Sequence, residues 1–269
     1  MICWRKTRKE KQTMLMPERF ETITRFINEN GTATVEELAE ALNVSKATIR
    51  RDLAQLDADK VILRTHGGAI KYDKSLTKEV PIYLRIHMQK AEKEQVADAA
   101  VALINEGDTI FIGAGTTGQA LASKLDRFSH LTVVTNDIDV AKEVCATDNT
   151  LMVLGGQLKK SSCTLLGFFA EEMLRELRVD TAFMAADAVD AANGFRDFDV
   201  DEISFKRLVL SVSTKTVMMC DTSKFKKHAF VNICPFSAVS AMITNEDADA
   251  QAIALLRESG LHVILAPKR

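Results

Sequence analysis

At 269 residues, with 46% hydrophobic and 27% charged side chains, the chain is long enough for two domains and too apolar to be disordered. The formal net charge of −2 is uneven: residues 1–74 hold 14 Lys/Arg against 11 Asp/Glu and the remainder 21 against 26, as expected of a nucleic-acid module joined to an acidic body. No apolar run reaches the ~18 residues of a membrane span, no apolar segment follows the basic N-terminus as in a secretory signal, and the five scattered cysteines include no CxxC pair or Cys/His cluster. These features fit a cytoplasmic protein without a disulfide framework, a metal or a cofactor.

In chain order, residues 1–15 read as a disordered basic tail, with Met14 or Met16 as alternative starts. Phe20, Ile23, Phe26 and Ile27 recur at helical spacing over 17–29, and Asn30-Gly31 stops that helix. Thr34-Val35-Glu36-Glu37 is a capping box opening a second helix. Ser45 is a good N-cap for a third, in which Ile49, Leu53 and Leu56 share one face while Ala47, Arg50, Arg51 and Gln55 point away. Val61–Arg64 and Ala69–Tyr72 flank Gly67-Gly68, a pair that tolerates positive φ, so a hairpin follows. The whole is a winged helix-turn-helix over 16–72. Its expected DNA contacts are Ser45, Lys46, Thr48, Arg50 and Arg51 on the helix and Arg64 and His66 on the wing. Lys46 and Arg50 stack like charges four residues apart, a cost that a phosphate backbone reverses. A solvated cationic surface helix is the bland alternative.

Residues 73–88 read as a linker, and 89–105 as an Ala-rich amphipathic helix opening the domain 89–269. Apolar runs then alternate with helices. The runs are Thr109–Ile112, Leu131–Val134, Leu151–Leu154, Thr181–Ala185, Thr216–Cys220, Ala241–Thr244 and His262–Leu265; the helices include 117–127, 137–146, 168–178, 201–213 and 247–258. That rhythm gives an α/β domain with a mostly parallel sheet covered on both faces. Ligands bind such sheets beyond the carboxyl ends of the strands. The candidates there are Gly113 to Gly118 (GAGTTG), Asn136, Gly156, Asp187, Asp221 and Lys224, with Glu202 and Lys206 four apart on one helix. The turn can cradle a phosphate with backbone amides and hydroxyls. GAGTTG is neither GxGxxG nor a P-loop, however, and read alone it is equally a tight strand-to-helix turn. Asn136 and the aspartates read equally as caps, and Glu202/Lys206 as a surface ion pair.

From about Met16 onward, the segment VEELAEALNVSKATIRRDLAQLDADKVILRTHGGA and the motifs DTIFIGAGTTGQALA, LTVVTND, LGGQLKK, DEISFKR and CDTSKF resemble the DeoR/GlpR-type sugar-responsive transcriptional regulators. The resemblance implies a winged-helix domain joined to a sensor with the fold of phosphosugar isomerases and CoA transferases. It also implies operator DNA as partner, a phosphorylated sugar as effector, repression of a carbohydrate-utilisation operon, and dimers or tetramers. By motif position, Gly115, Thr116 and Thr117 match the phosphate loop, and Asn136, Gly156, Asp187, Glu202, Lys206, Asp221 and Lys224 match other polar positions. Gly113 departs from the resemblance, since these regulators commonly carry Asp two residues before the loop glycine. A sugar-phosphate isomerase-like enzyme is the rival reading; no catalytic residue is assigned.

Overall fold

The computed structural model describes residues 15–59, 61–65, 67–71, 82–86 and 88–268. The tail 1–14, His66 and most of the expected linker lie outside them. The chain divides into two compact units, Met1–Asp73 and Lys74–Arg269.

In the first unit, α1 (Met16–Asn30) buries Phe20, Ile23 and Ile27 and ends at Gly31, whose φ of 78° lets its amide turn back onto the Ile27 carbonyl. A short strand β1 (Thr32–Thr34) leads into α2 (Val35–Ala41). The capping box is present there: the Thr34 hydroxyl accepts from the Glu37 amide and the Glu37 carboxylate accepts from the Thr34 amide. Helix α3 (Lys46–Ala58) starts at Ser45, whose Oγ accepts from the Thr48 amide at 3.1 Å, and it buries Ile49, Leu53 and Leu56. Strands β2 (Ile62–Arg64) and β3 (Gly68–Lys71) form the antiparallel wing. The wing is three-stranded, in the order β1-β3-β2, because β1 pairs with the far side of β3. Gly68 is required there for a reason other than the positive φ expected of it: a Cβ would lie 2.0 Å from the Ala33 carbonyl oxygen of β1.

The second unit opens with α4 (Ile82–Arg85) and α5 (Lys90–Val101). The expected linker 73–88 is corrected at this point. Ile82 is buried and its amide donates to the Ser161 carbonyl at 3.2 Å, so this end of the segment is part of the body. There follow β4 (Thr109–Ile112), α6 (Thr116–Ala122), β5 (Thr132–Thr135), α7 (Ile138–Val144), β6 (Thr150–Val153), the hairpin β7 (Gln157–Lys159) and β8 (Thr164–Leu166), and α8 (Phe168–Arg175). Then come β9 (Val179–Met184), β10 (Ala188–Asp190), β11 (Gly194–Asp197), α9 (Ile203–Val212), β12 (Ser213–Met219), β13 (Val231–Cys234), β14 (Ala241–Asn245), α10 (Ala250–Glu258) and β15 (Val263–Ala266).

All seven expected strands join one parallel sheet, in the order β15-β14-β12-β9-β4-β5-β6. Consecutive side chains face opposite layers. Phe111, Ala182 and Met218 pack with Leu174 of α8, Phe205 and Val209 of α9 and Leu256 of α10. Ile110, Ile112, Phe183 and Val217 pack with Val96 of α5, Leu121 of α6 and Val140 of α7. Helix α6 is shorter than the expected 117–127; a 3-10 turn, Leu125–Arg127, follows it. The two small antiparallel pieces, β7-β8 and β10-β11-β13, were not anticipated from sequence, being runs of three or four residues.

One buried contact ties the first unit together. The Arg19 guanidinium of α1 grips Asp52 of α3 with two bonds, Nε to Oδ2 at 2.5 Å and Nη2 to Oδ1 at 3.0 Å, and both side chains are largely buried. Replacing only the acid removes both of these buried, charge-assisted bonds. Asp52→Ala is expected to destabilise the first unit by ~3 kcal/mol, more than a surface pair is worth. Denaturant titration of the wild type and the variant measures it.

Candidate functional site

Strand order reverses in the middle of the sheet. From β4 the chain adds β5 and β6 on one side, then returns to lay β9, β12, β14 and β15 on the other. Such a reversal opens a crevice beyond the carboxyl ends of the two central strands. The turn Ala114–Thr117 follows β4 there, Ala185–Asp187 follows β9, and Asp221–Lys224 follows β12; all of them line one cleft holding about 100 Å³. Arg85, Met88, Gln89, Lys93, Ser162, Asp197, Glu202, Lys206 and Lys227 complete its lining.

The GAGTTG turn is shaped by its glycines and by one carboxylate. Gly115 has φ 112°, which L side chains rarely adopt, and a Cβ on Gly118 would lie 2.3 Å from the Gly113 carbonyl, so α6 can press against the strand end. Asp137 is buried behind the turn. One of its oxygens accepts from the Gly115 amide at 2.9 Å and the other caps α7 through the amides of Asp139 and Val140. The helix cap expected of Asn136 thus belongs to Asp137, while Asn136 donates to the Leu165 carbonyl at 3.0 Å.

Charged side chains of both signs line the cleft. Lys206 bonds to Asp197 and lies 3.4 Å from Glu202, which also accepts from Ser162 at 3.3 Å. This is a buried cluster rather than the surface pair that the spacing suggested. Burial pushes the Asp197 carboxyl up to about 6 against the pull of Lys206. Burial also works against the Lys206 ammonium, but Asp197, Glu202 and Asp187 outweigh it and hold it well above the usual lysine range. Lys93, Lys224 and Lys227 line the same cleft. Burial lowers Lys93 to about 7, and burial with the neighbouring Lys224 lowers Lys227 to about 8. The Lys93 ammonium donates to the carbonyls of Arg85 and Met88, both at 2.5 Å, and Arg85 lies 3.7 Å from Asp187. Burial opposes ionisation of Asp187, yet Lys224, Arg85 and Lys206 hold its carboxyl below the usual range. Asp221 caps Ser223 with Oδ1, while its buried Oδ2 has no hydrogen-bond partner among the described residues.

In the first unit, Ser45, Lys46, Arg50, Arg51 and Arg64 are exposed and Thr48 is half-buried. The Lys46–Arg50 repulsion inferred from spacing is corrected by a residue of α2, since Glu36 sits 2.5 Å from the Lys46 ammonium. Asp57 accepts from the Arg64 amide at 2.9 Å and so fastens the wing to α3.

Residues 88–246 match the family model described as the DeoR C terminal sensor domain, and residues 19–75 that of the DeoR-like helix-turn-helix domain. The chain belongs to the DeoR family. The glycerol-3-phosphate regulon repressor of Escherichia coli (strain K12) is 30% identical over 253 residues, covering 94% of this chain and 100% of its own. The HTH-type transcriptional regulator GlpR of Haloferax volcanii is 32% identical over 252 residues, covering 93% and 98%. A ribose 5-phosphate isomerase A from Methanocaldococcus jannaschii aligns over 51% of this chain and 55% of its own, with TM-score 0.39 and 19% identity; no residue role is carried over from it. Like its relatives, this DeoR-family chain is a DNA-binding transcriptional regulator.

Of the sensor residues expected from sequence, Gly115, Thr116, Thr117, Asp187, Glu202, Lys206, Asp221 and Lys224 line the cleft. Gly113 and Asn136 line a smaller adjoining cavity instead. Gly156 lies outside both; a Cβ on it would meet the Leu166 carbonyl at 2.5 Å, so its place in this DeoR-family fold is in the β7–β8 hairpin. Sequence reasoning missed Arg85, Lys93, Asp197 and Lys227. Lys93 carried a readable signal, because it shares a helical face with the buried Val96, Ala97 and Ala100.

Lys93 makes stability pH-dependent with a definite sign. Its folded value of about 7 lies below the ordinary lysine value, so the unfolded chain binds the extra proton and this group's contribution to stability rises with pH above about 7. Between pH 6 and 9 that contribution is roughly 2–3 kcal/mol. Lys93→Met is expected to remove this part of the pH dependence; thermal melts of both proteins at the two pH values measure it.

Proposed function

We propose that this protein represses a carbohydrate-utilisation operon, that α3 reads the operator, and that a phosphorylated sugar in the cleft sets operator affinity. One observation carries the ligand class: a helix-opening turn, Gly115–Thr117, lines the same cleft as Lys93, Lys224 and Lys227 and as Asp187, Glu202 and Asp221. The turn and the ammonium groups of Lys93, Lys224 and Lys227 suit a phosphate dianion. Asp187, Asp221 and Glu202 suit sugar hydroxyls, and the unpartnered Asp221 Oδ2 awaits a donor. The names of the relatives support the same reading, since one represses a glycerol-3-phosphate regulon and another, from Staphylococcus aureus, a lactose phosphotransferase system.

Control needs a difference in ligand affinity between DNA-competent and DNA-incompetent states. The segment that leads in from the first unit supplies a candidate source. Arg85, Met88 and Gln89 line the cleft, and Lys93 and Asp187 hold that segment in place. A phosphate that draws Lys93 or Arg85 toward itself would reset it.

An enzymatic reading is favoured by the raised Asp197, a carboxyl placed like a general base. We read it as part of ligand recognition, because both its oxygens are engaged, one by Lys206 and one by the Asp187 amide at 3.0 Å. Isomerase assays on sugar phosphates are expected to show no turnover.

Calorimetry with a panel of sugar phosphates is expected to find a binder whose unphosphorylated sugar binds at least tenfold more weakly; a panel without any binder overturns the ligand class. On DNA, Arg51→Ala is expected to cost ~1–3 kcal/mol on operator and little on random duplex. Lys46→Ala is expected to weaken both alike and to flatten the salt dependence. Gel-shift titrations at two salt concentrations separate the two, and equal losses for Arg51→Ala would remove it as a base reader.

A further inference from the structure

The turn after β12 and helix α5 are bridged by a buried carboxamide. Asn245, the last residue of β14, is fully buried and lines neither the cleft nor its adjoining cavity. Its Oδ1 accepts from the Thr222 amide at 3.2 Å. Its Nδ2 donates to the Glu92 carbonyl and to Gln95 Oε1, both at 2.9 Å. Both N–H groups of the carboxamide and its oxygen are therefore engaged.

Each end of this bridge adjoins the cleft. Asp221 and Ser223 flank Thr222, and both line the cleft with Lys224; Lys93, next to Glu92, lines it from α5. Lys93 in turn holds the preceding segment through the carbonyls of Arg85 and Met88. The joint between that segment and α5 is Gln89, which also lines the cleft. It has φ 52° and ψ 40°, a left-handed conformation sparsely populated by residues other than glycine. Such a conformation persists only where its surroundings hold it.

Core packing does not call for a carboxamide at this position. Ile243, on the same face of β14, and Ala266, the register partner on β15, belong to the apolar layer that includes Val96 and Ala97 of α5. An apolar side chain would fill the same space. A buried carboxamide costs stability unless its polar atoms are bonded. Asn245 meets that condition by binding the cleft turn and α5 at once.

We infer that Asn245 is a positioning residue that passes occupancy of the cleft to α5. An anion drawn to Lys224 shifts the turn Thr222–Lys226, and the Thr222 amide carries Asn245 with it. Asn245 then moves Glu92 and Gln95 against the Gln89 joint, from which the chain runs back toward the DNA-binding unit. Without the bridge, the turn can close on an anion and leave α5 in place. This inference rests on the effector reading proposed above.

Operator affinity of the full chain tests it, measured by fluorescence anisotropy with and without ribose 5-phosphate, glucose 6-phosphate or fructose 6-phosphate. At least one of these is expected to change the wild-type dissociation constant on operator ~10-fold or more, within the usual range of allosteric coupling. In Asn245→Ala, calorimetry is expected to find that the same compound binds within ~3-fold of wild type, while its effect on operator affinity falls below ~3-fold. A brace with no part in coupling would lower the melting temperature and leave the ratio of the two operator affinities at its wild-type value. Gln95→Leu cuts the bridge on the α5 side while Asn245 keeps Thr222; it is expected to reduce the ratio in the same direction. A wild-type ratio in Asn245→Ala, or in Gln95→Leu where Asn245→Ala does not fold, overturns the inference and leaves the effector reading standing. A wild type whose operator affinity none of the three compounds changes overturns both.

Discussion

The strand order reverses between β4 and β9, and the position of the cleft follows from that reversal. A strand in a parallel sheet must hand the chain to a crossover at its carboxyl end, so turns accumulate along one edge. Where crossovers diverge to opposite faces, the turns part and leave a crevice. In this protein the parted turns are Ala114–Thr117 and Ala185–Asp187. Asp137 then sets the first of them, gripping the Gly115 amide and the start of α7 at once. A single buried carboxylate thereby couples the loop to the next helix.

Burial and charge oppose one another in this cleft, and its lysines resolve the conflict differently. Lys206 meets three acids and stays charged. Lys93 is surrounded by lysines, an arginine and a single nearby acid, and burial lowers it to about 7. The lysines that share the cleft with Lys93 leave it short of negative charge nearby, which the proposed phosphate would supply.

In the first unit the same physics serves rigidity. The largely buried Arg19–Asp52 pair holds α3 against α1, while Asp57 holds the wing to α3. The arginines on the outer face of α3 are thus displayed from a fixed helix, as the base-reading role proposed for them requires.

The sequence by itself determined the two-part organisation, the helix caps at Thr34 and Ser45, and the seven strands of the sheet. Each of these is recorded locally, by a period of two or 3.6 or by a side chain that bonds its own backbone a few residues on. It also identified the turns after β4, β9 and β12, because a polar stretch ending an apolar run is a local signal. Only the tertiary structure decided which charges meet. Arg85, Asp187, Asp197, Lys206 and Lys224 are scattered over some 140 residues of chain yet share one cleft. It also decided that Glu36 answers Lys46, that Asp137 takes the cap expected of Asn136, and that Gly68 is set by its closeness to β1. The physical reason is the same in each case: periodicity reports which face of an element is buried, whereas charge pairing and close approach act through space between segments whose separation along the chain says nothing of their distance.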